Sequence, residues 1–358
     1  MTQPQPFNPE IPPSDVVEVY DNSKLSDFDA CRRYFYLRHI KGWTTKTFKP
    51  ELSFGTCWHS AMDVVWPGVC RLTKDEKPKR HDTGLAREIH SEAMKAFLLQ
   101  WQEEQGPSDI ENLADIAPRT PSVAEDMLWE YINERWTELS GYQLLQTERA
   151  FLIPLDFENE HPKYWYSGRI DKIIRHNGLI KIIDHKTTMA YAKEGYFRNY
   201  FTDQFFVSSQ FDGYSYAGYL IYPGEYNGDV WADCALVHKT VHHGFKTIRA
   251  NRPLVALDGW RWETIDKIND VRLNQHASET QHEEANADYQ YSFRKNTGNC
   301  FKYMRACTFF DICQGLANPL AEQAPPPGFV KEFWNPLDED DMKQLKIDAN
   351  ALVFYHEE

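Results

Sequence analysis

Two aspartates occur near each other in residues 168–186, which read GRIDKIIRHNGLIKIIDHK. Asn177-Gly178 separates two apolar runs and predicts a β-hairpin, because a type I′ turn needs positive φ at both central residues. With a two-residue loop, the register of this hairpin places Asp171 directly opposite Asp184. The pattern therefore predicts two carboxylates that face each other across paired strands.

Opposed carboxylates of this kind favour a bound cation. Their Cβ atoms would lie about 5 Å apart, where like charges destabilise a sheet. A divalent cation that takes carboxylate oxygens makes the pair favourable. Lys186, opposite Arg169 and on the same face as Asp184, can orient a water or stabilise charge on a phosphate. The alternative is a surface hairpin with solvated charges, and a β-bulge would break this register.

The composition is that of a globular protein with a packed core. Of the 358 residues, 42% are hydrophobic and 14% aromatic, which is enough to fill a large domain. No apolar run approaches the length of a membrane span, and the start has no basic-then-apolar signal pattern. We expect a soluble cytoplasmic protein with no membrane partner.

The net charge of −14 argues against nucleic-acid binding by bulk attraction, since phosphate contacts need lysine and arginine. A local groove can still be basic, because net charge does not describe local charge. Basic residues cluster in two places, so we expect them to meet phosphates there. These residues are Arg32, Arg33, Arg38 and Lys41 in the first cluster, and Lys172, Arg175 and Lys181 in the second.

Changes in periodicity predict four segments: a loose, Pro-rich start (1–14), an N-terminal helical region (15–143), a core (144–280) and a C-terminal cysteine region with an acidic tail (281–358). A capping box at 26–29 predicts a helix that runs to Ile40. Further helices are expected after Gly55 and over 86–105, 122–139, 204–221 and 258–275, and strands over 144–155, 164–187 and 230–239. The fold class is α/β, a small sheet flanked by helices.

The hairpin also carries a resemblance to a known family. Gly168-x-x-Asp171 followed by Asp184-x-Lys186 resembles the PD-(D/E)XK core of RecB-like nucleases. Three companion features occur in the family's order. They are the GTCWH motif that ends at His59, the acidic Glu148 on the preceding strand, and the Q-x-x-x-Y helix motif of Gln210 and Tyr214, whose spacing puts both residues on one helix face.

The resemblance implies a restriction-endonuclease-like core, a small mixed sheet flanked by helices, with N- and C-terminal helical additions. It implies a Mg²⁺- or Mn²⁺-dependent deoxyribonuclease, an exonuclease on single-stranded DNA or DNA ends, in a bacterial, archaeal or phage-infected cell. In the family's pattern, His59, Asp171, Asp184 and the backbone carbonyl of His185 would bind the metal. Lys186 would position or activate the water, and the remaining catalytic set is Glu148, Gln210 and Tyr214.

Other functions remain open on the same residues. One alternative is a DNA-binding or scaffolding subunit of a recombination or CRISPR-adaptation complex that cuts little. A second is an endonuclease or an RNA-acting member of the fold, because a fold does not fix its substrate. Helicases, recombinases and integrases are the protein partners that the resemblance implies. The intact acid-acid-lysine set favours an active enzyme.

Four of the seven cysteines extend the resemblance to the iron–sulfur branch, the CRISPR-associated RecB-like exonucleases and AddB-type nucleases. There one N-terminal and three C-terminal cysteines hold a 4Fe-4S cluster, which here implies Cys31, Cys300, Cys307 and Cys313. The branch pattern is C-x2-C-x5-C, whereas Cys300 lies seven residues before Cys307. Zinc is the rival, although no C-x-x-C pair is present. The other cysteines are interpreted as buried thiols: Cys57, Cys70 and Cys234.

Overall fold

The structure is a computed structural model, and it describes residues 19–46, 48–71, 73–105, 113–156, 163–193, 196–238, 244–283, 290–302, 305–320, 322 and 324–333. The expected loose start and acidic tail lie outside the described residues. In the described part of the chain, no helix has the length and apolar character needed to cross a membrane.

Helices and strands alternate along most of the chain. The helices are α1 (Asn22–Ala30), α2 (Arg32–Phe35), α3 (Pro50–Val69), α4 (Thr83–Gln105), α5 (Pro121–Leu139), α6 (Asn199–Asp203), α7 (Ser209–Ile221), α8 (Leu254–Glu283) and α9 (Phe310–Gly315). The strands are β1 (Val19–Tyr20), β2 (Trp43–Thr44), β3 (Gln143–Pro154), β4 (Trp165–His176), β5 (Leu179–Thr188), β6 (Tyr191–Ala192), β7 (Tyr196–Phe197), β8 (Tyr226–Leu236), β9 (Phe245–Asn251), β10 (Phe301–Lys302), β11 (Arg305–Ala306) and β12 (Val330–Lys331). Each predicted helix and strand finds a counterpart, while β9, the two-residue strands and α9 were not predicted.

The first predicted helix is interrupted. Its N-cap is Asp21, whose side chain accepts the Lys24 N–H at 2.6 Å, so the predicted cap at Ser26 is wrong. Cys31 is extended (φ −164°), and the chain continues as α2 and then a π-helix that ends at Ile40. The interruption is a tertiary effect, because the Sγ of Cys31 accepts a backbone N–H from residue 296.

The main sheet is mixed, which confirms the α/β class. Its order is β1-β4-β5-β8-β9, with β3 paired to β4 as well. The β1–β4 and β5–β8 pairs are parallel, and the β3–β4, β4–β5 and β8–β9 pairs are antiparallel. Apolar side chains pack on both faces: Ile182 joins the core beneath α7 and α8, whereas Ile183 joins the core beneath α3, α4 and α5.

One edge of β4 changes partner along its length. β3 occupies the other edge from Trp165 to Arg175, so β1 and β5 must share this edge. β1 pairs at Trp165 and Tyr166, and β5 pairs from Lys172 onward. Among the residues that the structure describes, 167–171 therefore have no strand partner on this edge. The sheet splits at this point, and Asp171 lies in the split.

The hairpin confirms the predicted turn and part of the predicted register. Asn177 and Gly178 have φ of 51° and 81°, as a type I′ turn requires. Pairing runs from His176–Leu179 to Lys172–Ile183. Beyond that pair the described strands separate, so the expected ladder pairs of Asp171 with Asp184 and of Arg169 with Lys186 do not form. The reason is that β4 leaves β5 for β1.

Candidate active site

A cleft of about 480 Å³ lies beside the split in the sheet. Helix α3 forms one wall, and β3, β4 and β5 contribute the rest. The predicted residues that line this cleft are His59, Glu148, His185 and Lys186, and Arg169 joins them. Residues from four separate elements thus meet in one place.

His59, Glu148 and Asp171 form the group that is best placed to hold a metal ion. Each offers a ligand atom, and these atoms all lie within 4.8 Å of one another. Glu148 falls between the pairs Thr147–Lys172 and Arg149–Ile170, so its register position is opposite Asp171. Its φ of 46° is rare for a residue with a side chain and marks a local distortion of β3 at the cleft.

The Asp171 carboxylate is held in place without a metal. Its Oδ2 accepts the His185 N–H at 2.6 Å and lies 3.4 Å from Nδ1 of His59. Burial raises the pKa of Asp171, but His59, together with the charges of His185 and Lys186, outweighs burial and holds this pKa well below its usual range. Burial lowers the pKa of His59, and Asp171 in turn raises it by more. The surroundings therefore favour the charged form of both groups.

Asp184 is placed differently from the sequence expectation. It is 1% exposed, and its Oδ2 lies 2.6 Å from Nζ of Lys186. It is not part of the compact group of His59, Glu148 and Asp171. Burial, reinforced by the charge of Asp171, raises the pKa of Asp184 despite the opposing Lys186 ammonium. Asp184 and Lys186 form an ion pair beside the metal-binding group.

Glu148 also carries a shifted pKa. Burial, together with the charges of Asp171 and Asp63, raises the pKa of this carboxyl to about 7. Its Oε1 lies 3.8 Å from Nζ of Lys172, and its Oε2 lies 3.6 Å from Arg169. Near neutral pH, Glu148 can therefore gain or lose a proton when the charge around it changes.

His185 connects the cleft to a buried polar network. Its backbone carbonyl, predicted as a metal ligand, lies 2.9 Å from Nε2 of His59. Its Nδ1 lies 3.0 Å from Oδ2 of Asp233, its register partner on β8, and the Tyr131 hydroxyl donates to the same oxygen at 2.6 Å. Arg135 lies 3.3 Å from the other oxygen of Asp233. Sequence reasoning missed this network, because its members come from α5, β5 and β8 and carry no local signal.

Gln210 and Tyr214 lie beside the cleft rather than in it. The Gln210 amide donates to the Tyr214 hydroxyl at 2.9 Å, which confirms that the two share a helix face. They line an adjacent pocket of about 180 Å³ together with Ser167 and Arg169. Arg169 lines both spaces, so one arginine connects the metal-binding group with the predicted substrate-orienting pair.

The two predicted basic clusters are not free to meet phosphates as expected. Lys172 is 0% exposed and lies 2.6 Å from Asp63 of α3. Arg33 is buried and donates to the Phe293 carbonyl at 3.0 Å. The other members with acidic partners are Arg32 with Asp270 (3.0 Å), Arg175 with Glu225 (2.5 Å) and Lys181 with Asp229. The expectation is wrong for the buried Arg33, Lys172 and Lys181, because sequence clustering does not show tertiary partners. It stays a prediction for the partly exposed Arg32 and Arg175.

The four predicted cluster cysteines share one cavity. Cys31, Cys300, Cys307 and Cys313 all line a space of about 290 Å³, and all are free thiols. The Cys307 N–H donates to the Cys300 carbonyl at 2.8 Å, which closes the loop between them. The wider spacing of Cys300 therefore does not remove it from the cavity. The other three cysteines are buried free thiols, as predicted: Cys57, Cys70 and Cys234.

Comparison with known proteins agrees with this geometry. A search of curated proteins finds no match to the chain. A family model for the PD-(D/E)XK nuclease superfamily matches residues 22–314, which include every strand of the main sheet except β1, the cleft and the four cavity cysteines. The match covers most of the chain, and this protein therefore belongs to the PD-(D/E)XK nuclease superfamily.

Proposed function

We propose that this nuclease is a divalent-metal-dependent deoxyribonuclease that hydrolyses phosphodiester bonds as an exonuclease on single strands or DNA ends. The observation that carries the proposal is the meeting of His59, Glu148 and Asp171 within 4.8 Å, beside the Asp184–Lys186 ion pair. Family membership supplies the nuclease chemistry. Within the superfamily, we assign the protein to the RecB-like nucleases of the iron–sulfur branch, and this assignment rests on the motifs and the cysteine cavity.

The donor set fits a hard divalent cation. One imidazole nitrogen and two carboxylates suit Mn²⁺ or Mg²⁺ better than a soft metal. His59, Glu148 and Asp171 would hold the ion, with Asp184 and the His185 carbonyl next to them. When bound, the ion supplies Lewis acidity and lowers the pKa of a bound water.

The protein's own residues then orient the substrate and supply positive charge at the reaction site. Lys186 presents an ammonium at the cleft, where it can hold a water or stabilise negative charge on a phosphate oxygen. Asp184 fixes that ammonium through the 2.6 Å ion pair. Arg169 lies between the cleft and the Gln210–Tyr214 pocket and can contact the same strand on both sides.

A 4Fe-4S cluster held by Cys31, Cys300, Cys307 and Cys313 completes the proposal. All four cysteines line one cavity of about 290 Å³, and four thiolates are the usual ligands of such a cluster. It would join Cys31, at the α1–α2 junction, to the C-terminal segment.

Two alternatives keep the same residues. A DNA-binding or scaffolding subunit, working with a helicase, recombinase or integrase, would hold DNA and cut little. An endonuclease or RNA-acting enzyme would use the same cleft on another substrate. The Asp184–Lys186 pair favours cleavage, since binding alone does not need an acid-paired ammonium beside a metal group.

End-labelled single-stranded DNA, duplex DNA and RNA, each incubated with Mn²⁺, Mg²⁺ or EDTA, test the function. We expect metal-dependent shortening of single-stranded DNA from an end, with none in EDTA. Asp171→Asn should abolish cleavage, whereas the exposed Asp126→Asn on α5 serves as the matched control. Cleavage that persists in EDTA or in Asp171→Asn would refute the proposal, and binding without cleavage would favour the scaffold.

The cluster has a separate test. Anaerobically purified protein should absorb broadly near roughly 400 nm and contain about four irons per chain. Cys313→Ala should lose the iron, and Cys234→Ala, which removes a buried thiol elsewhere, should keep it. Colourless protein with stoichiometric zinc would disprove the cluster and leave the nuclease proposal intact.

A further inference from the structure

The segment of residues 189–207, between β5 and α7, contains two sets of aromatic rings. The first set is buried and continuous. Phe197 and Phe201 stack with ring centroids 6.0 Å apart, and Phe201 meets Phe205 at 5.3 Å. Phe205 stacks on Phe211 of α7 at 5.5 Å. These contacts fix the segment on the helix that carries Gln210 and Tyr214.

The second set is exposed. Tyr196, Tyr200 and Phe206 are 46%, 65% and 53% exposed, and each adjoins a phenylalanine of the buried set. We call these three residues the aromatic patch. Tyr196 also has φ of 64°, a costly conformation for a residue with a side chain. These exposed rings are concentrated in one short segment that buried rings already anchor. Such a concentration indicates a binding surface rather than isolated exposed side chains.

Hydrogen bonds attach the segment that carries the aromatic patch to the end of β5, beside the cleft. Thr187 lines that cleft. The next residue, Thr188, accepts the Ala190 N–H through its hydroxyl at 3.0 Å, and the Arg198 N–H donates to the Ala190 carbonyl at 2.8 Å. A strand that leaves the cleft along the end of β5 would therefore meet the aromatic patch.

The charges around the cleft favour stacking over bulk phosphate attraction. The protein carries a net charge of −14, and most of the predicted basic cluster residues are buried or paired. Lys193 and Arg198 are exposed within this segment and can contact phosphates locally. Aromatic side chains bind unpaired bases in a sequence-tolerant way, because every base has a π-face, whereas bases in a duplex are already stacked.

We propose that the aromatic patch binds the unpaired bases of a single nucleic-acid strand that enters or leaves the metal cleft. This inference rests on the proposed nuclease function and assigns a second contact region to its substrate. It places the selection for single strands outside the metal-binding group. The occupant is a single-stranded nucleic acid, recognised by its bases.

Fluorescence anisotropy in EDTA tests binding without any cleavage. The probes are a labelled 20-nucleotide oligo-dT and an abasic strand of equal length, which keeps the phosphates and lacks the bases. Tyr200→Ala and Phe206→Ala should each weaken oligo-dT binding about tenfold and leave the abasic strand unaffected. Tyr291→Ala, another exposed tyrosine at 56%, should bind oligo-dT as wild type does.

The proposal is overturned if both variants bind oligo-dT normally, or if wild type binds the abasic strand equally well. It is also overturned if light scattering shows that the variants lose self-association and retain DNA binding, because the patch would then join two copies of the chain. A thymidine nitrophenyl phosphodiester, too short to reach the patch, should be cleaved equally by wild type and variants. Failure of wild type to cleave any substrate would refute the nuclease function. The anisotropy result would still show whether the aromatic patch binds unpaired bases.

Discussion

Replacing Asp171 or Asp184 by asparagine should have different effects on the free energy of unfolding, although the sequence pattern predicts the same role for both carboxylates. Without metal, Asp171 accepts the His185 N–H at 2.6 Å and lies 3.4 Å from His59. Its low pKa means that the folded protein favours the charge. Charge-assisted hydrogen bonds contribute about 1.5–3 kcal/mol, and an amide oxygen retains part of this. We therefore expect Asp171→Asn to lower the free energy of unfolding by about 1–3 kcal/mol in EDTA.

Asp184→Asn should behave differently in EDTA. Burial and the charge of Asp171 raise the pKa of Asp184, so the folded protein disfavours this charge even with Lys186 at 2.6 Å. The raised pKa reflects the net effect of all neighbours on Asp184. Neutralising it should leave the free energy of unfolding unchanged or slightly higher, since the partly exposed Lys186 can rehydrate.

Urea unfolding at pH 7, with and without Mn²⁺, measures both effects. At a Mn²⁺ concentration one hundred times its dissociation constant, wild type should gain about 2.7 kcal/mol. Asp171→Asn should gain nothing, because it lacks a central ligand. The reasoning fails if Asp184→Asn is the less stable variant in EDTA, or if Mn²⁺ stabilises Asp171→Asn as much as wild type.

Three further predictions concern neighbouring residues. Lys186→Ala should still bind Mn²⁺ in a thermal-shift titration but lose about a hundredfold in cleavage rate; unchanged cleavage would remove Lys186 from the mechanism. Asp63→Ala should lower the free energy of unfolding in urea by about 1.5–3 kcal/mol, because the fully buried Lys172 loses its 2.6 Å partner and keeps the more distant Glu148 carboxylate at 3.8 Å, and the double variant with Lys172→Met should recover much of this. The Glu148 pKa of about 7 lies above the ordinary value of 4.5 for a glutamate, so the folded state binds more protons between these values. Stability in EDTA should fall as pH rises through this window and level off above it, and Glu148→Gln should flatten the fall.

Local sequence signals predicted the features that depend on neighbouring residues, namely the hairpin turn and the amphipathic helices. Asn177-Gly178 gave the turn and the first five pairs of the hairpin, because positive φ at both positions is a property of those two residues. Periodicity likewise located α4 and α5. It missed β9, where few side chains are buried, so the alternating apolar pattern of a strand is weak.

The same local signals could not predict contacts between residues that are far apart in the sequence. β1 pairs with β4 at Trp165 and Tyr166 although it comes from the start of the described chain. β5 in turn pairs with β4 only from Lys172 onward, so the hairpin pairs expected at Arg169 and Asp171 do not form. Similarly, the sequence places Lys172 in a basic cluster, while the fold buries it against Asp63 of α3. Neither outcome can be deduced from the residues that surround each position in sequence.

The split in the sheet gives each of the two acids a favourable partner of its own. A continuous hairpin would place the carboxylates of Asp171 and Asp184 opposite each other, where like charges are unfavourable. Because β4 pairs with β5 only from Lys172 onward, the His185 N–H can donate to Asp171 instead. Asp184 in turn pairs with Lys186. Each acid thus has its own partner, because the predicted pairing of β4 with β5 ends at Lys172 and Ile183.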